Sequence, residues 1–314
     1  MPDLRPKIEQ SDVFALLQQY YKEPVTDLAH VEGGQIARTF AFRAGDQDYI
    51  LRFVDARNMP ISFAKEAFLS QTIASSQIPI PPVLQTGSWR DMHFAISRKV
   101  PGQMAIQLPI HEVVQLLPAI ISTLYAIHQV DVSQTKNYGV FNEQGVGNYT
   151  DWRSFLLQVR EEEEDWDYFG KWHALFEKTF LERDLFDNLF QRMVSLLDFC
   201  PTERYLVPGN YSLRNILAHE GKITGVIDWL DAKYGDFVYD IAGLDYWIPE
   251  LQMRELCQQY YHQRLGSIPF YEERVLCYEC YIALSAMRFY AKKEDERAYQ
   301  WSRERILHLL QHSA

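Results

Sequence analysis

The spacing of hydrophobic and polar positions changes character along the chain, and those changes divide it. Ser11 to Tyr21 opens on a Ser-Asp pair and repeats apolar residues at helical spacing, which predicts a first helix. From Val25 to Val54 the pattern alternates as in strands, with breaks at Glu32-Gly33-Gly34 and Ala44-Gly45-Asp46, and predicts about three antiparallel strands. Helical spacing returns from Ser62 to Ser75 and stops at Pro79, Pro81 and Pro82; two further strands follow near Val83 to Thr86 and His93 to Lys99. Beyond Pro101-Gly102 the chain reads as mainly helical, with candidates at His111 to Gln129, Trp152 to Glu164, Trp172 to Cys200, Ile241 to Trp247, Met253 to Leu265 and Tyr271 to Lys292. This order predicts an α+β chain with a small antiparallel-sheet lobe over residues 1–100 and a larger, mainly helical lobe over 101–314. A cleft is expected at the connector Arg98 to Gly102, since clefts between lobes commonly hold ligands.

One segment inside the helical half departs from it. Tyr205-Leu206-Val207 reads as a short strand entering a loop at Pro208-Gly209, and Ile216 to His219 with Lys222 to Ile227 reads as a hairpin turning at Glu220-Gly221. A hairpin brings its open ends together, so Asn215 and Asp228 are expected to face one another with an amide oxygen and a carboxylate. Oxygen ligands of that kind suit Mg2+, which takes one or two protein groups along with water and phosphate oxygens. An acidic residue ending the buried strand Gly-Val-Ile-Asp-Trp is costly unless it is paired or bound to a metal. Five residues before Asn215 stands Asn210, where a phosphotransferase places a carboxylate that accepts the proton of the acceptor hydroxyl.

This segment resembles the aminoglycoside phosphotransferase family, whose loop reads His-Gly-Asp-x4-Asn and is followed by Ile-Asp-Trp. The corresponding residues are Pro208-Gly209-Asn210, Asn215 and Ile227-Asp228-Trp229. Further blocks are similar to the family in the same order: YILR at 49–52, AISRK at 95–99, GNYTDWRSF at 147–155, GKITGVIDW at 221–229 and YGD at 234–236. The resemblance implies a two-lobe protein-kinase-like fold with a catalytic hairpin, binding of ATP or GTP with Mg2+, and transfer to a hydroxyl of a small molecule. It implies metal roles for Asn215 and Asp228, a catalytic-loop position for Asn210, and support of that loop by the second acid of Asp236 and Asp240.

Strand alternation puts Tyr49 and Leu51 on one face and Ile50 and Arg52 on the other. Arg52 stands where protein kinases carry a phosphate-pairing lysine, with Glu66 on the next helix as its partner; a plain surface ion pair is the competing reading. Gly33 and Gly34 offer backbone N–H groups that could cradle phosphates, or an ordinary hairpin turn. Ser97 to Val100, including Lys99, are expected to offer backbone groups to the nucleotide base. Asp231, just past Trp229, is the candidate for contacting an acceptor hydroxyl or amine, or for acting as an unusual base. Glu161 to Asp165 reads as a solvated helix face or as an attractor for a polyamine. His219 is too far along the hairpin to serve as a base, and His128 reads as a helix cap or core residue.

The formal net charge of −11 argues against binding nucleic acid and suits a cationic small molecule. No uninterrupted run of about 18 apolar residues is present and the N-terminus is polar, so no membrane span and a cytoplasmic location are expected. Four cysteines in 314 residues make no disulfide framework, and Cys277 and Cys280 are expected to pack in the core of the last long helix.

Asn210 divides the functional readings. An amide cannot take up the proton that a carboxylate would, and positioned base catalysis contributes about 10^2- to 10^4-fold. Phosphoryl transfer draws much of its stabilisation from metal, positive charge and alignment, so a weakened transferase is one reading. A nucleotide-binding pseudokinase, or a different chemistry on the same scaffold, is the other.

Overall fold

A computed structural model describes residues 5–34, 36–56, 63–162 and 170–312. Helix α1 (Gln10–Tyr20) precedes strands β1 (Val25–Val31), β2 (Arg38–Ala44) and β3 (Gln47–Asp55), helix α2 (Ala64–Thr72), and strands β4 (Val83–Trp89) and β5 (Met92–Arg98). They form one antiparallel sheet in the order β1-β2-β3-β5-β4. Alternation in β3 explains its two faces. Tyr49, Leu51 and Phe53 pack with Phe40, Phe42, Phe94 and Ile96 beneath Val13, Leu16 and Leu17 of α1. The opposite face carries Arg52 among Val54, Phe63, Val83 and Ala95, and it is this face that α2 covers beside β4.

Strand β6 (Gln103–Met104) and helix α3 (Ile110–His128) open the second half, followed by β7 (Tyr138–Phe141), β8 (Gly147–Tyr149), α4 (Trp152–Leu157), α5 (Leu175–Lys178) and α6 (Arg183–Leu196). Then come β9 (Tyr205–Val207), β10 (Ile216–His219), β11 (Lys222–Val226), β12 (Lys233–Gly235), α7 (Val238–Trp247), α8 (Met253–Leu265), α9 (Tyr271–Lys292) and α10 (Glu296–His312). Two small sheets, β11-β10-β6 and β8-β7-β12-β9, sit among the helices. Every residue of α9 from Arg274 to Leu284 is buried, so this helix is the axis of the larger core, with α6, α7 and α10 against it. Cys277 and Cys280 lie inside that core, as their spacing on an apolar helix implies.

Several elements differ from expectation. The helix expected over Trp172 to Cys200 is broken: α5 ends at Lys178, Thr179 is extended with its hydroxyl turned back to the carbonyl of Leu175 as a second donor beside the last helical N–H, and α6 restarts at Arg183. The helix from Trp152 tightens into a 3-10 turn at Gln158 and ends at Arg160, short of Glu164. Helix α10 was not anticipated, nor were β6, β7, β8 and β12, each of two to four residues. Among the described helices α3 is long and apolar enough to cross a membrane, yet Leu116, Ile120, Leu124 and Ile127 pack into the large core and Thr123 and His128 are buried with them.

Candidate active site

The hairpin β10–β11 delivers its ends as its sequence implies. The N–H of Ile227 donates to the carbonyl of Asn215 at 2.9 Å, locking the residue before β10 to the residue before Asp228. Asn215 Nδ2 donates to the carbonyl of Asn210 at 2.9 Å, which fixes the amide and leaves Oδ1 without a hydrogen-bond partner among the described residues. Asp228 lies two residues beyond β11 in the left-handed region, φ +64°, a conformation that costs a non-glycine residue about 1–3 kcal/mol and collects at functional sites. Trp229 anchors the turn, its buried indole donating to the carbonyl of Val226 at 3.0 Å. No donor among the described residues reaches the Asp228 carboxylate, and burial, then the nearby Asp231 and Glu66 carboxylates, push its pKa up to about 7. Two unengaged oxygen donors brought together in this way fit a hard divalent cation, which would favour the ionised carboxylate.

Arg52 and Glu66 meet as a two-stranded ion pair, with Arg52 Nη1 donating to Glu66 Oε1 at 3.3 Å and Nη2 to Oε2. Glu66 is buried, which sets the pair apart from a surface contact. The guanidinium packs over the ring of Phe63 at 4.8 Å, and the charges of Glu66 and Asp228 keep it protonated against the cost of burial. Arg52 and Asp228 thus sense one another across the gap between the five-stranded sheet and the hairpin.

The loop before Asn210 is built from below. Gly209 has φ +78°, and a Cβ there would lie 2.4 Å from the carbonyl oxygen of Asp231 and 2.9 Å from Nζ of Lys233, so only glycine fits. Its N–H donates to Asp240 Oδ1 at 2.9 Å. The other oxygen of Asp240 pairs with His128 Nε2 at 3.1 Å, and His128 Nδ1 meets the hydroxyl of Tyr261 at 2.7 Å. Asp240 therefore supports the loop, and His128 is a buried core residue at the end of α3. Asp236 belongs to a separate buried network, accepting from Arg274 Nε at 2.9 Å and from the Tyr278 hydroxyl at 2.6 Å. Asn210 and Asp231 both face outward, and neither side chain has a hydrogen-bond partner among the described residues.

Two lysines complete the site without having been singled out in the sequence. Lys65, fully buried on α2, donates to the carbonyls of Leu230 and, at 3.1 Å, Ala232, and so ties α2 to the turn that carries Asp231. Burial lowers its pKa to about 8. Lys233, 5% exposed on β12, places its ammonium beside Gly209, 4.5 Å from the ring centre of Tyr239 and 5.3 Å from that of Phe155. A lysine inside the short apolar stretch Ala232-Lys233-Tyr234 was the available signal.

The remaining candidates spread around this centre. The N–H groups of Arg98 and Lys99 are taken by the carbonyls of Pro82 and Asp48, at 2.9 and 3.0 Å, and Ser97 is buried in the ladder between β3 and β4. Val100 is then the connector residue whose N–H has no backbone acceptor among the described residues. Gly33 and Gly34 lie in the exposed loop between β1 and β2 with φ +122° and +67°, with open space above Gly33; Gln35 is outside the described residues. In the acidic run, Glu162 accepts from the N–H of His173 at 2.7 Å and the carbonyl of Glu161 from the Trp172 indole at 2.8 Å, which are structural contacts, whereas Glu163 to Asp165 lie outside the described residues. His219 sits exposed at the hairpin turn beside Glu220.

A kinase-like fold with these groups between a small sheet and a helical body defines the class as a phosphotransferase. Residues 27–273 match the Phosphotransferase enzyme family, and the chain belongs to it. Hygromycin-B 4-O-kinase of Escherichia coli is 30% identical over 261 residues, 83% of this chain and 73% of that protein. The crystal structure of aminoglycoside phosphotransferase APH(4)-Ia is similar with a TM-score of 0.82 at 26% identity, covering 98% of this chain and 100% of that one. A thermostable mutant of that enzyme, in ternary complex with AMP-PNP and hygromycin B, gives 0.81 at 26% identity over 96% and 99% of the two chains. The gentamicin complex of APH(2")-IIa shares the fold at 17% identity, with a TM-score of 0.63 over 96% of this chain and 97% of that one.

Proposed function

We propose that the protein transfers the γ-phosphoryl group of ATP or GTP to a small molecule, with Mg2+ held by Asn215 Oδ1 and the Asp228 carboxylate. The observation that carries this reading is that pair of unengaged oxygens, held together by the Ile227–Asn215 hydrogen bond. Mg2+ at that place would supply neutralisation of the triphosphate charge and alignment of its terminal group. Arg52, oriented by Glu66, would meet the phosphates from the sheet side, and the backbone N–H groups of Gly33 and Gly34 would cradle them. The backbone of Ser97 to Val100, with Lys99 beside it, would line the base. The relatives solved with AMP-PNP or ADP support nucleotide binding here. A cytoplasmic location suits that use of nucleotide.

The acceptor is the open part of the reading. A hydroxyl on a cationic molecule is favoured by the net charge of −11 and by the hygromycin B bound to a relative. Such a hydroxyl would react over Asn210 without a carboxylate base, unless the exposed Asp231 takes its proton, and the transfer would be about 10^2- to 10^4-fold slower than with one. A nucleotide-binding pseudokinase is the second reading, favoured by Asn210 itself. The test incubates the protein and its Asn210→Asp variant with Mg-ATP or Mg-GTP and a panel of aminoglycosides that includes hygromycin B, and follows product by mass. Product from the unaltered protein establishes a working transferase on such acceptors; product from the variant alone marks a disabled one. No nucleotide binding by either would overturn the proposal.

A further inference from the structure

Helix α2 sends two neighbouring buried charges in different directions. Glu66 reaches the sheet and holds Arg52, while Lys65, one residue earlier and about 100° away around the helix, reaches into the helical body. The Lys65 ammonium donates to the carbonyls of Leu230 and, at 3.1 Å, Ala232, and lies 5.0 Å from the ring centre of Phe141 on β7. Leu230 packs in turn against the apolar cluster of Val54, Phe63, Val83 and Ala95 on the sheet side. The turn from Asp228 to Ala232 is therefore fastened to α2 by directed hydrogen bonds and to the sheet by one apolar side chain.

The rest of α2 is fastened to the same body. Leu69 joins the large core together with Ile78 and Ile80 of the segment that follows, and the N–H of Val226, the last residue of β11, donates to the carbonyl of Pro79 at 2.6 Å. These contacts make α2 a part of the helical body that grips the sheet through the Arg52–Glu66 pair. A methionine would fill the space of the Lys65 stem without the cost of a buried charge, so what the ammonium adds is its hydrogen bonds. They act on the backbone two residues beyond Asp228, whose left-handed φ of +64° persists only where its surroundings over-determine it. The Trp229 indole holds that turn through Val226, and Lys65 holds it from α2.

Resting on the phosphotransferase reading, we propose that Lys65 is a positioning residue for the metal–nucleotide complex. It sets the Arg52–Glu66 pair and the Asp228 turn in register before the ligand arrives, so that one triphosphate with its metal engages both. Its donors are directed at backbone carbonyls, and it acts through α2 and the turn. A site assembled in advance spares binding the cost of ordering it.

The experiment compares the unaltered protein with Lys65→Met, and with Leu230→Ala, which loosens the same contact from the other side should Lys65→Met fail to fold. Binding of AMP-PNP and GMP-PNP is measured by calorimetric titration with Mg2+ and with EDTA, and hydrogen exchange is followed on the protein without ligands. Lys65→Met should weaken the Mg2+ form of whichever triphosphate binds by about tenfold, and the metal-free form by about twofold at most. A residue that only supplied positive charge would show the reverse order, because the metal-free triphosphate is the more highly charged. A residue that only stabilised the fold would weaken both forms alike, and either pattern overturns the inference. In the free protein, exchange should quicken together in α2 and in residues 228–232 and stay unchanged in the buried stretch of α9; unchanged exchange in α2 and the turn would also overturn it. If no triphosphate binds the unaltered protein, the phosphotransferase reading falls, while the exchange result still decides whether Lys65 ties α2 to the turn.

Discussion

The N–H of Gly209 is held by the carboxylate of Asp240, 2.9 Å away on the first turn of α7, and the second oxygen of that carboxylate faces His128. One buried acid thereby sets the height of the loop carrying Asn210. Removing it leaves a buried N–H and a histidine without their acceptor, so Asp240→Ala should lose about 3 kcal/mol of stability. Asp240→Asn can keep one of the two contacts and should lose about 1 kcal/mol. Urea unfolding of the three proteins checks the order, and equal midpoints would show that the loop does not depend on this contact.

Asn210→Asp tests whether a carboxylate at this place restores a base. On a hydroxyl acceptor the new carboxylate provides a base and should raise turnover by about 10^2-fold or more. Steady-state kinetics with an aminoglycoside acceptor measures the gain, and an unchanged rate would remove Asn210 from the acceptor site.

Asp228→Asn tests the metal pair. The wild-type protein should bind ATP more tightly with Mg2+ than with a chelator, and the variant should lose that difference while retaining the metal-independent part. The same change should stabilise the nucleotide-free protein slightly at neutral pH, because the Asp228 carboxylate is harder to ionise in its folded surroundings than in water. Calorimetric titration with and without Mg2+ gives the first result and thermal unfolding the second. An unchanged Mg2+ increment in the variant would place the metal elsewhere.

The juxtaposition of the hairpin ends that carry Asn215 and Asp228 was legible in the sequence because a hairpin has a short-range signature: turn residues at Glu220-Gly221 and apolar strands on both sides locate its ends without knowledge of the rest of the fold. The side of β3 on which Arg52 projects was legible for a similar reason, since period-two alternation survives in a strand with one face toward α1. Lys65 and Lys233 were not. Lysine is a surface residue in most settings, and nothing in Ala64-Lys65-Glu66 announces that the ammonium will be folded under the turn at Leu230. Strand β12 is buried on both faces and three residues long, so it has no alternation to show. Helix α10 had a readable stripe in Tyr299, Ser302, Ile306 and Leu309, diluted by the charged residues between them. The break at Thr179 was hidden because apolar residues continue at helical spacing across it. The pairing of Gly209 with Asp240, 31 residues apart, could be inferred only from the family resemblance.

Glu279 gives the fold a pH dependence that is independent of the active site. Its side chain is fully buried in α9, neither oxygen has a hydrogen-bond partner, and the nearest charge is Arg305 Nη2 at 3.6 Å. Burial, aided by Asp245 and opposed by Arg254 and Arg305, raises its pKa from 4.5 to about 8. Between those values the folded protein keeps a proton that the unfolded chain has released, so stability falls as pH rises through this window and levels off above about pH 8. The raised pKa of Asp245 adds a slope of the same sign over the acidic part. Glu279→Gln removes the ionisation while conserving the shape, and should be more stable than the wild type at pH 8.5, by about 3 kcal/mol, with little difference at pH 4.5. Denaturant unfolding at the two pH values measures the gap; a gap that stays the same at both would mean that Glu279 is ionised and compensated by Arg305 throughout.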